Sequence, residues 1–80
     1  MHKSEAQQKI KTAITDDPQK VITAAIIFDQ SAQSILDDVV LEKGSPQGVA
    51  AIVLKHIFRG ENNSITEAKI IKFAEFLVAA

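Results

Sequence analysis

Two histidines, at positions 2 and 56, an Asp37-Asp38 pair and serines at 45 and 64 are the residues of this chain whose types could do chemistry. A helical metal or acid–base site needs a second histidine or carboxylate one turn from the first. One turn from His56 stand Ile52 and Gly60, so its own helix supplies no second ligand. His56 therefore reads as an exposed or interface histidine, and His2 as part of a polar terminus. Asp37 and Asp38 are adjacent, and adjacent residues on a helix point about 100° apart. They read as a solvated face rather than as one ligand site. Asp29 falls between Phe28 and Ala32, and its carboxylate is expected to reach water. No metal, cofactor or catalytic residue is expected from these groups.

Other catalytic signatures are missing. The three glycines, at 44, 48 and 60, fall at helix ends or in a first turn, so they form no phosphate-cradling loop. There is no Gly-x-Ser-x-Gly elbow. Zero cysteines exclude a thiol nucleophile, a disulfide and a thiolate metal site. Ser45 and Ser64 each precede a helix, as a modifiable carrier serine does, but both are explained by capping. The chain is not expected to be an enzyme.

Lys55, Arg59, Lys69 and Lys72 give the second half a mild basic bias, and a tight glycine-containing turn joins the two segments that carry them. They support an alternative reading, a nucleic-acid-associated protein with a basic face on its last two helices. Against it, the last segment has no Arg, Asn or Gln to read base edges. Glu61, Glu67 and Glu75 dilute phosphate attraction. Nine Lys/Arg against ten Asp/Glu provide no global attraction to nucleic acid or to anionic membranes.

The elements that must position these groups are four helical segments in one domain spanning 1–80. Ser4 and Gln7 match a capping box, and Ala6, Ile10, Ala13 and Ile14 recur behind them, predicting a helix over 4–14. Asp17 suits an N-cap and Pro18 the first helical position of the next. Val21, Ala25, Phe28, Ala32, Ile35 and Val39 then follow at spacings of 4, 3, 4, 3, 4, the a/d rhythm of a packed seam. No Gly or Pro interrupts this stretch, so one helix over 18–42 is predicted. Unbroken it would reach about 37 Å and overhang a compact monomer. A partner would cover the overhang, unless the chain breaks near Asp29-Gln30-Ser31.

Lys43-Gly44-Ser45-Pro46 is the clearest punctuation: a left-handed stop, a cap and a first-turn proline. It opens a helix over 46–59 with Ala50, Val53, Leu54, Ile57 and Phe58 inward and Ile52 on the polar side. Glu61-Asn62-Asn63 is the last loop, and a Ser64–Glu67 capping box opens the final helix, 64–79. Its expected inward side is Ile70, Ile71, Ala74, Leu77 and Val78, with Phe73 and Phe76 beside Lys69 and Lys72. Connections of roughly two to five residues imply that consecutive helices pack antiparallel.

That last helix carries more apolar surface than one core needs, since a stripe about 100° wide suffices. An 80-residue chain also buries only about 60–65% of its unfolded surface, which leaves a monomer marginal. The expectation is an all-α bundle completed by dimerisation, its candidate interface formed by Ile27, Ile52, Phe73 and Phe76. The function expected is protein interaction or regulation, with a second copy or another protein as partner. No apolar run reaches the roughly 18–20 residues of a membrane span. Met1-His2-Lys3-Ser4 turns polar at once. Together with zero cysteines, these features make a cytoplasmic setting the expectation.

Overall fold

Asp17, Asp29, Gly44 and Ser45 cut the chain into its elements. In the computed structural model, which describes residues 1–59 and 64–79, α1 spans Lys3–Asp16 and α2 spans Pro18–Phe28. Asp17 serves both. Its N–H donates to the Ala13 carbonyl at 2.8 Å, and its Oδ1 accepts from the Lys20 N–H at 3.3 Å. A 3-10 turn (Gln30–Ala32) leads into α3 (Gln33–Lys43), followed by α4 (Pro46–Ile57) and α5 (Ser64–Ala79). Gly44 adopts φ +74° and donates to the Val40 carbonyl at 3.1 Å, and Ser45 Oγ accepts from the Gly48 N–H at 3.2 Å. The predicted stop, cap and proline start therefore form as read. Loop 60–63 and the Ser64 side chain, on which the last capping box turns, lie outside the described residues.

Beside α1 running on to Asp16 and α3 to Lys43, each a little past expectation, three differences matter. Helix α1 begins at Lys3 with no side-chain cap, so the Ser4–Gln7 box does not form. Its first bond runs from the Ala6 N–H to the His2 carbonyl at 2.9 Å, and water can serve the remaining exposed first-turn donors. Helix α4 ends at Ile57 rather than Arg59, because side chains take over its last carbonyls: Arg59 Nη1 donates to His56 O at 2.6 Å and Lys69 Nζ to Ile57 O at 2.9 Å.

The third difference is the largest. The predicted helix over 18–42 is two helices, so the described residues hold five rather than four. Asp29 is extended (φ −144°, ψ 102°), and its Oδ1 accepts from both the Ser31 N–H (3.0 Å) and the Ser31 hydroxyl (2.7 Å). This side-chain capping offers the backbone an alternative to helix, which is the usual way Asp competes with a helical ladder. The break lets α2 and α3 both pack on α4. The molecule is 34 Å in its longest dimension, with a radius of gyration of 11.8 Å. A compact 80-residue chain is expected near 11.6 Å, and an unbroken helix of about 37 Å would project beyond it.

Helices α1 and α2 pack together, as do α3 and α4, which fits the short connections. Helix α5 instead makes its most extensive contact with α1, so the first and last helices are neighbours. Ala6, Ala25, Ala32, Ala50 and Ala74 are fully buried and let the backbones approach closely. The centre is aromatic. Phe73 is 0% exposed and meets Phe28 (centroids 5.4 Å, interplanar 82°) and Phe58 (5.7 Å, 75°) edge to face.

That placement corrects the predicted face of the last helix. Ile70, Phe73, Ala74 and Leu77 point inward at i, i+3, i+4 and i+7, while Val78 is 59% exposed. The inward side is rotated toward Phe73 because Phe28 and Phe58 leave a ring-sized space there. Among the described residues, no helix is long and apolar enough to cross a membrane, and no polar side chain is buried.

Candidate functional site

Two places gather side chains that could act on something outside the molecule: a polar cluster at the α2–α3 break and an apolar groove between α1 and α4.

The polar cluster is built by the break itself. Ser31 Oγ lies 2.7 Å from Asp29 Oδ1 and 3.1 Å from His56 Nε2, across 25 residues of sequence. The Asp29 carboxyl is held below its ordinary value of 3.8, first by the Ser31 hydroxyl bond and then by the Ser31 backbone bond. Lys69 and Arg59 add electrostatic support, while burial works the other way. Asp29 is thus a carboxylate and accepts the one hydroxyl proton of Ser31. Ser31 Oγ must then accept from His56, which assigns the proton to Nε2. In a nucleophilic triad the histidine stands between serine and carboxylate and takes the serine proton. Here serine stands in the middle, and its proton is committed to the carboxylate. The arrangement fastens the break to α4. It does not activate Ser31.

Around it, Lys69 and Arg59 answer the carbonyls at the C-terminal end of α4, where cations also complement the helix dipole. Of the four basic residues read from the sequence, these two come together on structural work. Lys55 and Lys72 are exposed, and Lys55 lines the groove instead. Among the described residues, no group of three or more His, Asp or Glu is placed to hold a metal ion.

The groove has a volume of about 410 Å³. Its α1 wall is Gln7, Ile10, Lys11 and Ile14, and its α4 wall is Ala51, Leu54 and Lys55, with Phe58 just past the helix end. Both walls follow i, i+3, i+4, i+7, with a lysine at the third place. Ile70 of α5 closes the groove on another side. The lining is mostly apolar and, among the described residues, holds no carboxylate. Neither the Lys11 nor the Lys55 ammonium has an ion-pair partner among the described residues.

The four candidate interface residues fare differently. Ile27 is 65% exposed, and Ile52 is half-buried against the core. Phe76 is 36% exposed and touches Phe28 at 6.4 Å between centroids. Phe73 is a core residue and presents nothing to a partner, which removes it from any interface. Sequence reading missed Leu41, at 86% exposure the barest large apolar side chain described, and Val40 beside it. It also missed the groove. The signal for Leu41 was present: it stands three and four residues after Asp38 and Asp37, on their side of the helix.

Set beside known proteins, the chain matches no family model, no curated protein and no solved structure.

Proposed function

We propose that this chain is a small helical protein-interaction module that acts as a homodimer in an intracellular setting. The observation that carries the reading is the open, lysine-flanked apolar groove between α1 and α4. Grooves between helices are a recurrent seat for an apolar helix face. Exposed Ile27, Leu41 and Val78 supply apolar surface of the kind that enters such seats. The lack of cysteine suits a reducing compartment.

Solution mass measured by sedimentation equilibrium over a wide concentration range tests the proposal. The expected result is a mass of twice 8.7 kDa at high concentration, falling toward 8.7 kDa on dilution. A monomer mass at every concentration overturns the homodimer.

A further inference from the structure

We propose that the occupant of the α1–α4 groove is the outer face of α3 from a second copy of this chain. The inference rests on the interaction reading above and names its partner surface. Leu41 stands almost bare on α3, with Asp37 one turn before it and Asp38 three residues before it. Both carboxylates are therefore its neighbours on the helix surface. Both are exposed, and neither is ion-paired among the described residues. The groove is the complement of this arrangement: an apolar floor that includes Ile14 and Leu54, with Lys11 and Lys55 on its two walls and, among the described residues, no carboxylate in the lining. An apolar key flanked by two negative charges faces an apolar slot flanked by two positive ones. Charge complementarity of this kind fixes register and suppresses wrong pairings.

Geometry requires a second copy. Helix α3 packs on α4 beside Pro46 and Val49, where Leu36 and Val40 line a cleft with them. Ala51, Leu54 and Lys55 point elsewhere: on the α4 wheel, Val49 stands about 200° from Ala51 at 100° per residue. The α3 of one chain cannot turn into its own groove without leaving α4. The contact is therefore between unlike surfaces, and two copies form a closed dimer where both α3–groove contacts meet at once.

A charge-swap experiment tests this. K11E/K55E and D37K/D38K alter only exposed side chains, and circular dichroism verifies that both variants keep the wild-type helix content. Each alone sets like charges against each other, and self-association should weaken roughly 30-fold at low salt. Mixed in equal amounts, the two variants restore opposite charges at both contacts, and the wild-type mass should return. L41S, which keeps every charge, should also weaken association. The inference is overturned by a wild-type dimer that both charge variants retain, or by a mixture that stays monomeric. In either case the homodimer reading survives and its interface lies elsewhere. A wild type that is monomeric throughout overturns both and leaves the groove to a different partner.

Discussion

Replacing Phe73 is the sharpest test of how α5 is rotated against the bundle. The structure makes Phe73 the largest fully buried side chain, touched edge to face by Phe28 and Phe58. Truncating such a residue to alanine costs about 3–5 kcal/mol. A domain of 80 residues has a total stability of roughly 4–12 kcal/mol. F73A therefore removes between a quarter and all of it and is at risk of unfolding outright. F73L is the more informative variant, because it keeps most of the volume and loses the two edge contacts. Each is worth about 0.5–1.5 kcal/mol beyond its buried area, so F73L should cost about 1–3 kcal/mol.

In a chain this short, 1 kcal/mol moves the melting temperature by about 4–8 °C. F73L should melt roughly 5–20 °C below wild type at equal protein concentration. F76A is the control on the same helix. Phe76 is partly exposed and keeps one tilted ring contact, so its loss should cost about 1 kcal/mol. The chain has neither Trp nor Tyr, and far-ultraviolet circular dichroism is the natural readout. An F73L variant that melts with wild type while F76A collapses would refute the reasoning. It would mean that α5 turns Phe76 inward and Phe73 outward, whereas the sequence reading had placed both rings on the outer side.

Two further substitutions address the punctuation. D29A deletes both bonds to Ser31 and should cost about 0.5–2 kcal/mol, the range of a lost cap. The folded Asp29 carboxyl sits below its ordinary value of 3.8, so it resists protonation more than its unfolded counterpart. Its stabilising contribution is complete above 3.8 and is lost as pH falls through the lower folded value. Urea midpoints followed through that range should fall less steeply in D29A than in wild type; equal slopes would contradict the assignment. G44A should cost about 1 kcal/mol, the strain of a left-handed residue that carries a Cβ. The added Cβ meets nothing within 4 Å, so a loss well beyond that in thermal denaturation would reveal a contact the structure does not contain.

Much of the fold was legible because local rules and packing agreed. Asp17-Pro18 and Gly44-Ser45-Pro46 acted through backbone chemistry that needs no tertiary partner, and both formed as read. The break at Asp29 was not legible from periodicity, for a geometric reason. Val21, Ala25, Ala32 and Val39 are buried, and Phe28 and Ile35 pack against the same core on either side of it. The seam stays in phase across the break, so its rhythm matches one helix or two equally well. The excessive length of an unbroken helix pointed to a break near Asp29-Gln30-Ser31, and the Asp-x-Ser spacing carried the local signal, with His56, 25 residues away, holding the serine.

The groove was illegible for a different reason, and that reason bears on function. Periodicity assigns each residue to a face of its own helix; it says nothing about which helices leave space between them. Ile10 and Ile14 on α1, Leu54 on α4 and Phe58 at its C-cap each read as ordinary inward residues, and Lys11 and Lys55 as ordinary polar ones. They become one surface because α5 crosses to α1 and carries Ile70 to the groove. The surplus of apolar surface first ascribed to α5 loses Phe73 to the core and reappears as a groove on one side of α4 and a bare Leu41 on the helix packed against the other. The dimer proposed above, in which the outer face of each α3 docks in the other copy's groove, would account for both at once.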